Sequence, residues 1–178
     1  MKALLIGVAA SCMLLIQPLL AHTAQVAGKT VSMPGWTEAP YNLHNPFARI
    51  IRGELPAYKV YEDAHVLAFL SLDQNAAGHV LAISKNSKAQ NIMEMSPQDL
   101  LRVMRVAQRV ARAEAIALHA DGVVIQQNNG AAGGQTVFHL HVHVIPHWNG
   151  RPPDFARDDQ GRLDRQAIAA RIAAAMSN

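Results

Sequence analysis

The chain has 178 residues, half of them hydrophobic, with 16 Lys and Arg against 13 Asp and Glu and a formal charge of +3. That length supports one domain with one sizeable core, and so mild a charge does not by itself call for nucleic acid. The only cysteine, Cys12, leaves no pair for an internal disulfide.

Residues 1–24 open with Lys2, continue as a long apolar run and end in small residues. This is the pattern of a secretory signal peptide, to be left out of fold reasoning. It predicts a periplasmic or secreted protein with no stable membrane insertion once the segment is cleaved. A retained membrane anchor is the alternative, against which Gln17 and Pro18 argue. Cleavage would also remove Cys12, so the mature chain would have no thiol chemistry. Residues 25–44 mix Gly, Pro and polar types without periodicity and read as a linker or surface arm.

At Asn45-Pro46 a helix begins, with Asn as N-cap and Pro at the first helical position. It carries Phe47, Ile50 and Ile51 and stops at Gly53. Strands are expected over 58–61 and 65–72, joined tightly through Glu62-Asp63-Ala64, and over 78–84 after a turn-rich stretch that includes Asp73. Residues 85–95 read as a loop with a short helix. Ser96-Pro97-Gln98-Asp99 resembles a capping box. The main helix follows it, with Leu100, Met104, Ala107, Ala111, Ala115 and Leu118 at helical spacing, ending near 119–122. Arg102, Arg105, Arg109 and Arg112 form a second row, read as a solvated face with Glu114 nearby, or else a contact for an acidic partner, nucleic acid or anionic lipid. A fourth strand is expected over 123–127, a loop over 128–135 and a fifth strand over 136–145. After Pro152-Pro153, Leu163, Ile168, Ile172 and Met176 mark a closing helix. No repeat or second domain is visible, and the architecture is α+β, an antiparallel sheet with helices against it.

The fifth strand holds the most informative stretch. In Phe138-His139-Leu140-His141-Val142-His143-Val144, histidines alternate with apolar residues, so strand geometry puts His139, His141 and His143 on one face and Leu140, Val142 and Val144 in a core. A metal site is one reading. However, a strand rises about 3.3 Å per residue, which leaves the outer two histidines roughly 13 Å apart, and zinc–nitrogen bonds of about 2.0–2.1 Å cannot span all three. Nucleophilic catalysis by a neutral imidazole is the other reading. Just upstream, Asn128-Asn-Gly-Ala-Ala-Gly-Gly-Gln-Thr is an ordinary hairpin loop in isolation. Beside three histidines its small residues suit backbone N–H groups approaching a phosphate.

The His-φ-His-φ-His-φ-φ run, with φ apolar, resembles the signature of the histidine triad (HIT) superfamily of nucleotide hydrolases and transferases. Asn45-Pro-Phe-Ala-Arg-Ile-Ile-Arg-Gly-Glu-Leu-Pro-Ala, Val60-Tyr-Glu-Asp, Leu67-Ala-Phe-Leu, Gly78-His79-Val-Leu and Asn128-Asn-Gly fall in that family's order and spacing. The resemblance implies a HIT-like domain over 45–147, a C-terminal tail and helix over 148–178, and a five-stranded antiparallel sheet packed with one long and several short helices. It implies His141 as nucleophile at the α-phosphorus of a nucleotide, with a covalent nucleotidyl-histidine that water then releases. His139 and His143 would orient His141 and bind phosphate, and His79 would support the site. Asn128, Gly134, Gln135 and Thr136 would meet the phosphate or leaving group. Phe47, Ile50, Phe69 and Leu72 would wall a purine pocket, although in isolation they read as core. Ser71 stands where relatives commonly carry Asp or Asn to hold the ribose hydroxyls; its hydroxyl is shorter and uncharged. His147, after Pro146, stands where many bacterial relatives have Arg and receives no role.

The resemblance further implies a purine nucleotide substrate, no metal or other cofactor, no nucleic-acid partner and a homodimer. It offers both P–N and P–O–P bonds as targets. Two other readings stay open: a nucleotide-sensing protein that turns over little, and an exported metal-binding protein using the histidine row with His79 or His147.

Overall fold

A computed structural model of the chain describes residues 23–26, 29–32, 40–72, 77–150, 152–155, 157–158 and 160–177. The proposed export segment lies outside the described residues except for Thr23 and Ala24, and Asp73 lies outside them too. Where a linker is expected, strands β1 (Thr23–Val26) and β2 (Lys29–Ser32) pair antiparallel. Val26, Thr30 and Val31 flanking Gly28 are a hairpin signal too short to register as periodicity.

The first helix, α1 (Pro46–Ile51), starts as read: the Asn45 side chain accepts from the Ala48 N–H, and Gly53 takes a positive φ of 76° just past its end. Strands β3 (Lys59–Glu62) and β4 (Val66–Leu70) form the expected hairpin, where the Asp63 carboxylate accepts from the His65 and Val66 N–H groups. Strand β5 (Val80–Ser84) follows. Residues 85–95 form bends and turns without a helix. The long helix α2 (Pro97–Ala117) is capped by the Ser96 hydroxyl on the Asp99 N–H. Strands β6 (Gly122–Gln126) and β7 (His141–His147) complete an antiparallel sheet in the order β3-β4-β5-β7-β6. Helix α3 (Arg165–Met176), N-capped by Asp164, closes the chain with Ile168, Ile172 and Met176 buried as expected.

Period-two alternation sorts the central strands onto two faces. Val66, Ala68, Leu70, Val80, Ala82, Val142 and Val144 join α2 and α3 in one core. Leu67, Phe69, Leu81 and Ile83 face the other way and pack with Phe47 of α1 in a smaller cluster. The second face is the one on which the histidines of β7 stand. Among the described residues no helix is long and apolar enough to cross a membrane.

On α2 the buried residues are Val103, Val106, Ala107, Val110, Ala113 and Glu114. The expected apolar face was therefore displaced: Met104 and Ala115 are exposed, whereas Ala107 and Leu118 are buried as expected. Arg102 pairs with Asp99 at 2.8 Å. Arg109 is not simply solvated, since its guanidinium lies 4.6 Å from the Tyr61 ring centroid and donates to the Met176 carbonyl. Glu114 is no part of a solvated face: it is fully buried, and neither carboxylate oxygen has a hydrogen-bond partner among the described residues. The C-terminus of α2 is held by side-chain donors, with Arg171 bonded to the Ala117 carbonyl and Trp148 Nε1 to the Leu118 carbonyl.

Candidate active site

The strand that carries the histidines begins later than expected. It starts at His141, and residues 136–140 lead into it as a loop. The Leu140 N–H donates to the Ala89 carbonyl and the His139 N–H to the Val137 carbonyl, so this segment bonds away from the sheet. His139 nevertheless stays beside the other two. Phe47 lies edge-on to both His139 and His141, with ring centroids at 6.2 and 5.0 Å. His141 and His143 follow at 4.8 Å, paired across the sheet with Ile83 and Leu81.

The hydrogen bonds assign the protons. His141 Nδ1 lies 2.8 Å from the His139 carbonyl oxygen, which can only accept. Nδ1 therefore carries the hydrogen of the neutral ring and Nε2 keeps the lone pair. Burial pushes the His141 pKa down, against the opposing effect of the bond to the His139 carbonyl, which favours the uncharged nucleophilic form. His79 Nε2 and His143 Nδ1 are 2.9 Å apart and share one hydrogen bond, which brings His79 into contact with the histidine row.

His139 is 1% exposed and both its ring nitrogens are engaged, Nε2 with the Ser84 carbonyl at 3.0 Å and Nδ1 with the Tyr41 hydroxyl at 2.5 Å. Burial, with a smaller contribution from His141, brings its pKa down to about 4 despite the bond to Ser84. Of the two tasks expected of His139, its contact with His141 runs through its carbonyl. Its ring has no N–H left to donate to a phosphate.

The Gly-rich loop forms a short 3₁₀ turn, Ala131–Gly133, between Gly130 and Gly134, both at positive φ. Asn128 closes it by donating from Nδ2 to the Gly134 carbonyl at 3.3 Å. Gln135, expected as a phosphate contact, is a buried brace instead. Its Oε1 accepts from the Gly130 N–H, and its Nε2 donates to the Gln90 and Val137 carbonyls. Thr136 is exposed and lines a cleft of about 400 Å³ with Pro40, Asn42, His44, Asn45 and Gln90.

Of the expected purine wall, Phe47 and Phe69 meet edge-to-face at 5.6 Å and Ile50 packs beside them. Leu72 does not join them. Strand β4 ends at Leu70, and Leu72 beyond it is 69% exposed. Ser71 donates its N–H to the His79 carbonyl at 2.8 Å and lines a small cavity with His79 and Arg165 of α3. His147 ends β7 on the surface. Among the described residues, no three His, Cys, Asp or Glu side chains form a group that could hold a metal ion.

The HIT domain profile matches residues 52–150, more than half of the chain. The chain belongs to the HIT family. A HIT-like protein of Mycobacterium tuberculosis is 38% identical over 141 residues, covering 72% of this chain and 96% of the relative. An adenosine 5′-monophosphoramidase of Saccharomyces cerevisiae is 32% identical over 133 residues, covering 69% and 80%. A zinc-bound histidine triad protein of Mycobacterium smegmatis has the same fold, with a TM-score of 0.66, 36% identity and coverage of 76% of this chain and 94% of that one.

Two parts of this HIT site escaped the sequence reading. The Ser84 carbonyl is backbone and leaves no mark in the sequence. Tyr41 lies 98 positions before its partner His139, in a stretch without pattern.

Proposed function

We propose that the chain is a nucleotide hydrolase or nucleotidyl transferase that cleaves at the α-phosphate of a nucleoside phosphoramidate or dinucleoside polyphosphate. The observation that carries this reading is the His141 ring, tied at Nδ1 to a backbone carbonyl and presenting the Nε2 lone pair beside His143. In the proposed reaction, Nε2 attacks phosphorus, a P–N bond to His141 forms, and the bond to the leaving amine or phosphate breaks as that group takes a proton from solvent. Water then attacks phosphorus and gives a proton back to solvent, the P–His141 bond breaks and the nucleoside monophosphate departs, which returns His141 to its starting neutral form. Splitting the displacement in two gives each step a competent nucleophile or leaving group.

The His79–His143 pair supplies N–H donors suited to charge on phosphorus-bound oxygen. Phe47, Phe69 and Ile50 offer an apolar wall for a base, and the Asn128–Thr136 loop offers backbone N–H groups. A relative that is an adenosine 5′-monophosphoramidase supports the P–N branch. The test is AMP release from adenosine 5′-phosphoramidate and from diadenosine polyphosphate by protein stripped of metal. Release identifies the branch; nucleotide binding without release favours the sensing reading instead.

A second reading, a metal-binding protein, takes its support from the zinc-bound Mycobacterium smegmatis relative alone, since among the described residues no three His, Cys, Asp or Glu side chains gather as a metal site; elemental analysis of the purified protein separates the two. We also propose export of the mature chain, on the composition of residues 1–24. A homodimer built on the β6 edge of the sheet, where Val124 and Ile125 are each 43% exposed, completes the proposal.

A further inference from the structure

We propose that Tyr41 is a positioning residue for His141, acting through His139. The chain of contacts is unambiguous in its hydrogens. The Ser84 carbonyl can only accept, so the hydrogen of the neutral His139 ring sits on Nε2. Nδ1 then has only a lone pair to offer, and the Tyr41 hydroxyl, 2.5 Å away, must be its donor. His139 is thereby pinned at both nitrogens while its own carbonyl holds the His141 Nδ1–H at 2.8 Å. A rotation of His139 moves that carbonyl, and with it the direction of the His141 lone pair.

The proton has reason to stay on Tyr41. Burial raises the tyrosine pKa above its usual value, and burial holds His139 down at about 4. Between those two values the bond runs in one direction, from phenol to imidazole. Among the described residues, the uncharged Phe47 ring lies edge-on to His139 and His141 neighbours it.

Tyr41 lies before residues 52–150, the part matched by the HIT domain profile. The arm preceding α1 is thus part of the catalytic support, bent so that Pro40 and Asn42 line the cleft with Thr136 while Tyr41 between them meets His139. Around metal-bound histidines, removing the outer partner that fixes the tautomer costs about 10- to 100-fold, and the lower end of that range is the effect expected here.

The kinetic part of this proposal rests on the hydrolase reading; the tautomer part does not. The experiment uses the full chain labelled with nitrogen-15 at histidine, as wild type and as Tyr41→Phe, which keeps the ring and deletes the donor. In the wild type, His139 is expected as the Nε2–H tautomer with a hydrogen-bonded Nδ1. In Tyr41→Phe, its Nδ1 resonance should move toward that of a free imine-type nitrogen, and the His141 Nδ1–H resonance should move with it. With a nucleotide phosphoramidate, kcat should fall on the order of 10-fold at unchanged KM. Unchanged His139 resonances overturn the contact, and unchanged His141 resonances overturn the positioning. A wild type that releases no AMP while both sets of resonances still move overturns the hydrolase reading and leaves the positioning standing.

Discussion

Glu114 sets a test of the fold that needs no substrate. Its carboxyl is wholly buried on the core face of α2 with neither oxygen bonded, and burial pushes its pKa from 4.5 up to about 9. The folded chain therefore keeps this proton up to about pH 9, whereas the unfolded chain releases it near pH 4.5. Between those limits the folded state binds more protons, so stability is greatest at the acid end and falls as pH rises. The slope for one such group is about 1.4 kcal/mol per pH unit, which accumulates to roughly 3 kcal/mol by pH 7. Glu114→Leu replaces the acid by an apolar side chain of similar size and removes this dependence. Urea unfolding of both proteins at pH 5, 6, 7 and 8 measures it, and subtracting one curve from the other cancels every titrating group they share, the histidines included. The variant should gain on the wild type at each step upward. Parallel curves would mean that Glu114 finds a partner or water in solution, and the packing described for α2 would be wrong.

Three other outcomes follow from the same geometry. Because burial lowers the His141 pKa below its ordinary 6.5, the neutral ring persists into mildly acid solution, and the acid limb of kcat/KM should fall below pH 6.5; a limb above that value would contradict the assignment. Gly78 takes a positive φ of 87°, and a Cβ there would press into the Leu118 side chain and meet Pro146 Cγ at 3.2 Å. Gly78→Ala should cost about 2–4 kcal/mol in urea unfolding; a loss within experimental error would refute the close packing of the turn before β5 on the end of α2. For the proposed dimer, Ile125→Glu should halve the mass found by sedimentation velocity, and a monomeric wild type would remove that proposal.

Short-range rules reached the helix starts and the hairpin. Asn45, Ser96 and Asp63 act on N–H groups two or three residues away, so their roles are written locally. The alternation from His141 to Val144 likewise dictates which side chains face the core. His139 marks the limit of that reading, since alternation continues through it while the strand does not. The bonds that draw Leu140 to Ala89 and His139 to Ser84 join segments distant in sequence, and no period encodes them. The face of α2 was ambiguous for another reason: a helix rich in Ala, Val and Arg has overlapping apolar stripes. Packing against β7, β5 and α3 selects the Val103–Val106–Val110 stripe and carries Glu114 inward with it. Gln135 and Tyr41 are the same lesson at the site. The first stood in a phosphate-loop pattern and braces the loop, and the second stood in no pattern and holds a triad histidine.

The central claim is that His141 attacks phosphorus, and the stereochemical course at the α-phosphorus tests it most directly. A substrate chiral at that atom, bearing sulfur in place of one oxygen, is hydrolysed in isotopically labelled water and the product configuration is read by phosphorus NMR. Each in-line displacement inverts the centre, so two successive displacements through His141 predict net retention. Net inversion would mean that water attacks the nucleotide directly, and the covalent role of His141 would be wrong.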